Sequence, residues 1–460
     1  MSDASSAAPA ATRPTVQQLR LRENQLFFAL TIVIGVLAGL SAVLFTLAIE
    51  ALNRGLFGFD PSPLRLLLVP ALASLLAGVL LATVFPDVRG SGVPQTKAAF
   101  HLHSGVMPLR VPVGKFLMGA LCVGSGHSMG REGPSVQIGA GLASVIGQWV
   151  GLPPHRVREL VPVGAAGALA AAFNTPVSAV IFALEELIGD LNAPLLGSTV
   201  VASVASVIVE RSLLGNEPLF RVPTYQLVHP AELVAYAVLG ASGGLLSALF
   251  CRVLLRVRRE TLRLPAGAKV VLPAAGGLVV GAIIVVVPAV MGVGYEYVDQ
   301  ALNGGLVLST LLVLCGAKVV ATLVSYTSGN AGGIFAPSLY IGAMLGGAMG
   351  ILTRELAPFP TADVGAYALV GMGTLFAGII RAPMTSVFMI FEITQDYQIL
   401  VPLMVANLLS FVISRRYQPV PIYHALLEQD GVVLPRAPVA GVDVASGERA
   451  AEPPTRQHGG

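Results

Sequence analysis

One segment of this chain occurs twice, and the repeat sits inside long apolar stretches. Gly130-Arg-Glu-Gly-Pro-Ser-Val-Gln-Ile-Gly-Ala140 aligns without gaps on Gly333-Ile-Phe-Ala-Pro-Ser-Leu-Tyr-Ile-Gly-Ala343, matching at Gly, Pro, Ser, Ile, Gly and Ala. The same offset pairs Lys115 with Lys318, Ser125 with Ser328 and Gly126 with Gly329. Further on, Phe173-Asn-Thr-Pro-Val-Ser-Ala-Val180 falls on Ile380-Arg-Ala-Pro-Met-Thr-Ser-Val387, and at a slightly larger offset Glu185 falls on Glu392. Two halves therefore share one plan. Matched, Gly- and Pro-interrupted apolar segments in two halves mark secondary transporters, whose sites lie near the membrane midplane between the repeats.

The surroundings fit a membrane. Only 12% of the 460 residues are charged, against roughly 25% in an average soluble protein. Leu26 to Ile49, Leu233 to Cys251 and Val270 to Tyr295 are uncharged runs that meet the ~20 apolar residues a helix needs to cross a bilayer, or nearly so. A soluble globular fold is excluded. Val111 to Gly130, Pro134 to Leu152, Gly332 to Leu352 and Pro383 to Phe391 read instead as interrupted or short segments, tolerated at membrane depth only where they line a protein cavity. The expected division is a disordered tail over 1–15, a first transmembrane repeat over 16–215, a second over 231–427 ending in a short helix, and a disordered cytoplasmic tail over 428–460. The start lacks a basic-then-apolar leader, so a cleaved signal peptide is not expected. Arg252 to Lys269 is the richest basic loop, which puts it, both termini and Arg89 to Arg110 on the cytoplasmic side.

A net charge of +3 gives no reason to expect nucleic acid. Cys122, Cys251 and Cys315 are far apart in apolar stretches and read as packing residues, with neither disulfide framework nor metal-ligand spacing. His101 and His103 have no third ligand nearby, so no metal is expected.

Gly130-Arg-Glu-Gly-Pro134 and Gly332-Gly-Ile-Phe-Ala-Pro337 each read as a helix start, with Pro in the first turn and Gly allowing close backbone approach. Two such starts aimed at one place present unpaired N–H groups and positive dipole ends, which is an anion site. Gly90-Ser-Gly-Val-Pro94 supplies a third, with Ser91 as a hydroxyl donor that holds an anion without neutralising it. Gly342-x-x-x-Gly346-x-x-x-Gly350 reads as close helix packing. Glu132, Glu185, Glu186 and Glu392 lie in apolar surroundings, where each needs a partner or a purpose. Glu185 and Glu392 are repeat-equivalent and read as structural hydrogen-bonding groups. Glu132 and Glu186 have Phe335 and Ile393 as counterparts, and that asymmetry singles them out for function. Gly126-His-Ser-Met-Gly130 copies the nucleophile elbow of hydrolases, but it follows an apolar helical stretch rather than a strand, and the repeat preserves Ser125 rather than Ser128.

Taken together, Gly90-Ser-Gly-Val-Pro94, Gly130-Arg-Glu-Gly-Pro-Ser-Val-Gln-Ile-Gly139, Gly333-Ile-Phe-Ala-Pro337 and Tyr423 resemble the signatures of the CLC chloride channels and transporters, over about Arg20 to Leu427. The resemblance implies an all-α polytopic membrane protein: two inverted-topology repeats with broken helices meeting at a central anion site, in a homodimer whose subunits each hold a pathway. It implies that Ser91 and Tyr423 donate hydroxyls to chloride, joined by the backbone N–H groups of Ile334 and Phe335. Glu132 would be the gate and external proton acceptor, and Glu186 the internal proton relay. Gln95 and Lys97 stand where some bacterial members carry acids, a difference expected to touch only peripheral electrostatics. About 33 residues follow Leu427, so nucleotide-sensing CBS modules are not expected.

The expected function is a proton-coupled chloride antiporter in a bacterial inner membrane, without covalent chemistry or cofactor, and with chloride, protons and lipid as its partners. A passive chloride channel of the same fold is the alternative. A sodium-coupled symporter fits the architecture but not the motifs, and a membrane serine hydrolase rests on the elbow-like Gly126-His-Ser-Met-Gly130 alone.

Overall fold

The computed structural model describes residues 16–191, 194–216, 219–220 and 228–434, with side chains from Gln25 onward. The tail expected over 1–15, and all of the C-terminal tail beyond residue 434, lie outside the described residues.

The first half runs α1 (Val16–Phe57), α2 (Pro63–Thr83), α3 (Val93–Leu102), α4 (Arg110–Gly124), α5 (Glu132–Trp149), α6 (Pro154–Phe173), α7 (Pro176–Phe182) with a π-helical continuation (Ala183–Ile188), and α8 (Leu196–Leu214). The second runs α9 (Glu232–Leu262), α10 (Ala266–Val286), α11 (Tyr295–Leu302), α12 (Leu308–Thr327), α13 (Phe335–Leu356), α14 (Val364–Ile380), α15 (Pro383–Thr394), α16 (Leu400–Tyr417) and α17 (Ile422–Gln429). Among the described residues the extended pairings are two isolated bridges, Gly90 with Ala331 and Gly130 with Gly333. The all-α expectation holds. Helix α17 carries the chain to Gln429, so the first two residues of the expected tail are helical.

The packing repeats as the sequence does. Helix α1 lies against α6 and α8, and α9 against α14 and α16; α5 packs on α6 as α13 packs on α14. Helices α2 with α10 and α7 with α15 cross from one half to the other. In α13, a Cβ on Gly342 would meet the Gly371 carbonyl of α14 at 2.3 Å, and one on Gly346 the Tyr367 carbonyl at 2.0 Å. Glycine there brings two backbones together rather than breaking the helix. This corrects the reading of Gly332 to Leu352 as an interrupted segment: α13 is one continuous helix of 22 residues. Eight of the described helices are long and apolar enough to cross a membrane, α13 among them. Their outward faces are apolar, as along α16, where Val401, Met404, Leu408 and Val412 are all more than half exposed. The chain is a multi-pass membrane protein.

Two buried lysines show how the repeat builds its loops. Lys115 on α4 donates to the carbonyls of Val88 at 3.0 Å and Gly90 at 2.5 Å. Lys318 on α12 donates to Val290 at 3.1 Å, Gly292 at 2.8 Å and Val293 at 3.2 Å. A buried ammonium must be satisfied, and each of these is satisfied by fixing the loop that leads into a short helix, α3 in one half and α11 in the other.

Candidate functional site

The loops that lead into α3, α5 and α13 meet at the centre. Gly130 and Gly333, equivalent in the repeat, exchange both backbone hydrogen bonds at 2.8 Å. Beside them, the Gly90 amide donates to Asn330 at 3.1 Å and the Gly332 amide to Gly90 at 3.0 Å. Helices α3, α5 and α13 therefore begin around one space. The last two begin at Glu132 and Phe335, each two residues before the proline of its motif.

Ser91 enters this space from the loop before α3. Gly92 holds a backbone conformation (φ 100°) that side chains resist, and a Cβ on it would sit 2.7 Å from the Gly133 carbonyl. Gln95 closes the turn: its Oε1 accepts the Gly92 amide at 3.0 Å and its amide group donates to Arg89 O at 2.9 Å. The Ser91 hydroxyl is fully buried without a hydrogen-bond partner, and so is the hydroxyl of nearby Tyr423 at the start of α17. Buried hydroxyls almost always find partners, so two unsatisfied donors side by side describe a space shaped for an acceptor. Ile334, just before α13, and Phe335, its first residue, are both buried, at positions where amides have no acceptor within the helix. The Phe335 ring is wedged among Phe173, Phe182 and Phe376, with centroids at 5.1, 5.8 and 4.4 Å, which fixes the backbone that carries those amides.

Glu132 is the first residue of α5 and fully buried. A Cβ on Gly130 would lie 2.3 Å from its Oε2 and 3.0 Å from the Ala336 amide, so the carboxyl group sits between the starts of α5 and α13. There the positive ends of two helices favour negative charge. Oε2 has no hydrogen-bond partner, while Oε1 accepts the Tyr295 hydroxyl at 2.5 Å. Tyr295 opens α11, the element that matches α3. The sequence reading missed it, although Gly292-Val-Gly294 before it echoes Gly90-Ser-Gly92. Arg131 stands beside Glu132, donating to the Thr46 hydroxyl at 2.9 Å, its guanidinium 5.9 Å from the Tyr295 ring centre. A cavity of ≈ 250 Å³ bounded by Thr46, Glu50, Arg131 and Glu210 opens next to it.

Glu186 lies apart from Glu132. It is 5% exposed, and its Oε1 is 2.7 Å from the ammonium of Lys97 on α3, itself 4% exposed. His424 Nδ1 lies 3.5 Å from that ammonium. The expectation that Lys97 touches only peripheral electrostatics is therefore wrong, because this residue is the buried partner of Glu186. Neighbouring Glu185 turns away, its Oε2 accepting the Thr385 amide of α15 at 2.7 Å. The two glutamates sit on the π-helical turn that continues α7, and such turns are frequent at functional sites.

The elbow-like Gly126-His-Ser-Met-Gly130 is interior wall. Ser128 is fully buried with its hydroxyl 3.2 Å from that of Thr322, and the His127 ring bonds to Ser74 and Ser325. Among the described residues no group of three or more His, Cys, Asp or Glu is placed to hold a metal.

Known proteins resemble this chain over most of its length. The profile of the voltage gated chloride channel family matches residues 73–415. The H(+)/Cl(-) exchange transporter ClcA of Vibrio campbellii is 30% identical over 411 residues, 86% of this chain and 88% of that one. A putative chloride channel protein, ClcB-like, of Ralstonia nicotianae is 33% identical over 370 residues, 79% and 86% of the two chains. The crystal structure of a slow cyanobacterial Cl-/H+ antiporter superposes with a TM-score of 0.79 at 29% identity, covering 88% of this chain and 97% of that one.

Proposed function

The chain belongs to the voltage gated chloride channel family, and on that premise we propose that it is a chloride/proton antiporter. Chloride is bound by the hydroxyls of Ser91 and Tyr423 and by the amides of Ile334 and Phe335. Glu132 is gate and external proton acceptor, and Glu186 is the internal proton relay. The observation that carries the reading is the pair of buried, unpartnered hydroxyls beside helix starts whose remaining place is taken by a carboxylate. Ser91 and Tyr423 can only donate to an anion, and neutral donors bind it weakly enough to let it go. The Glu132 carboxylate sits between the starts of α5 and α13, in a place that a chloride would otherwise use. Protonation removes its charge, lets it leave that place and carries a proton in the same movement, which couples the two ions.

The chain works as a homodimer in a bacterial inner membrane, with both termini cytoplasmic. The membrane-facing residues of α8, among them Val200, Val204 and Ile208, and those of α16 flank the α7–α15 pair and supply an apolar face for a second copy. The arginines at 252, 256, 258, 259 and 263 belong on the cytoplasmic side by the positive-inside rule.

Proteoliposomes loaded with chloride test the function. An outward chloride gradient should drive protons inward against their own gradient, read with a pH electrode. Chloride flux with no proton flux would replace the exchanger reading with that of a passive channel, the activity suggested by the name of the Ralstonia relative.

A further inference from the structure

The Lys97–Glu186 pair raises a difficulty for any role of Glu186 in moving protons, and this inference rests on that role. Both groups are buried, 2.7 Å apart, and Lys97 is the one cationic side chain within bonding distance of Glu186 among the described residues. If Glu186 took a proton from elsewhere while Lys97 stayed charged, an unpaired ammonium would be stranded in a low-dielectric interior. Three of the remaining polar groups nearby are committed. Glu185 is bound to the start of α15, the His101 ring to Leu187 O at 2.9 Å, and Arg158 of α6 stands over the Phe100 ring at 4.6 Å. Tyr423 faces the space it shares with Ser91. His424, half-buried at the start of α17, is the second titratable group next to Lys97, with Nδ1 3.5 Å from Nζ.

We propose that Lys97 is a proton donor in series with Glu186, passing a proton from its ammonium to the carboxylate and regaining one from the cytoplasmic side by way of His424. In the first step an Nζ–H bond breaks, an O–H bond forms on Oε1 and the electron pair stays on nitrogen. The pair is neutral before and after, so no isolated charge is created. Glu186 then releases its proton toward Glu132, leaving a carboxylate beside a neutral amine, a single charge that lasts until the amine is reprotonated. In the last step the His424 imidazolium gives its Nδ1 proton to Nζ and restores the ion pair.

Arginine separates a relay from a fixed counter-ion, because a guanidinium keeps the positive charge but is not deprotonated in proteins. Lys97→Arg, Lys97→Met and His424→Gln are to be compared with the wild type in one proteoliposome assay that records both ions. The expected result is persistent chloride flux in all three, with proton transport lowered at least tenfold in both Lys97 variants and severalfold in His424→Gln. Coupled exchange in Lys97→Arg at the wild-type ratio would reduce Lys97 to a counter-ion and overturn the proposal. Loss of chloride flux in both Lys97 variants would overturn it too, by making the residue part of the scaffold. A wild type that moves no protons fails differently, because it removes the exchanger reading and this relay together.

Discussion

Glu185 and Glu392 cap each other's half of the molecule. Glu185 accepts the amides of Met384 and Thr385 at 3.1 and 2.7 Å, at the start of α15. Its repeat partner Glu392 accepts those of Val177 and Ser178 at 2.8 and 2.7 Å, at the start of α7. Each carboxylate satisfies two otherwise unpaired amides and faces the positive end of a helix dipole. The exchange is symmetric, as contacts across a two-fold axis must be.

Removing either carboxylate strands those amides. Glu185→Ala and Glu392→Ala should each destabilise the fold by about 2 kcal/mol, the upper end for loss of a helix cap. Thermal unfolding in detergent should show both midpoints falling by similar amounts, while any surviving protein keeps its coupling ratio. A variant as stable as the wild type would remove the structural role assigned here.

Glu132→Gln should let chloride pass while abolishing proton movement and the pH dependence of flux. Retained proton pumping would exclude Glu132 as carrier. Tyr295→Phe keeps the ring and deletes the hydrogen bond to Oε1. Freed of a charge-assisted bond worth roughly 1.5 kcal/mol, the carboxylate should leave its place more readily and exchange should run up to about tenfold faster. Unchanged turnover would mean that the tyrosine does not restrain the gate.

Glu186→Gln keeps the shape and removes the titratable carboxyl group. Chloride transport should continue, and uphill proton uptake driven by chloride should disappear. Proton uptake at the wild-type rate would show that the inner route bypasses this residue.

Ser91 should set the choice of anion. The wild type is expected to couple tightly with chloride rather than nitrate, and Ser91→Pro should shift the preference to nitrate, measured as the proton yield with each anion. Tight coupling with nitrate alone in the wild type would contradict this.

Gly133 tests the same space from the opposite wall. A Cβ there would lie 2.6 Å from Ser91 Oγ. Gly133→Ala should therefore weaken chloride binding at least tenfold by calorimetry, with little change in helix content. An unaltered affinity would place the anion elsewhere.

The chain shows unevenly how much of this its residues reveal. The repeat is legible because helix starts carry their own chemistry: glycine for close approach, proline for the first turn, an acid to meet another helix's amides. The pairing of Glu185 with Glu392 across the repeat led to their structural role without coordinates. Lys97 and Tyr295 were not legible in that way. Their partners, Glu186 and Glu132, are distant in sequence, and neither contact leaves a periodic signal. Residue spacing likewise describes an α-helix where the chain makes a π turn, because one extra residue per turn changes no composition. The glycines of α13 misled for a related reason. The same residue breaks a lone helix and tightens a paired one, and only the neighbouring helix decides which.

The joint between Gly130 and Gly333 has an evolutionary consequence. Both of its bonds run between main-chain atoms, so side-chain drift in either half cannot delete them directly. The two copies of an ancestral unit can diverge until one carries a carboxylate and the other a phenyl ring at the same place, and the seam still holds. Asymmetric chemistry can thus accumulate on a symmetric frame, with an acid in one copy set against a wall built by the other.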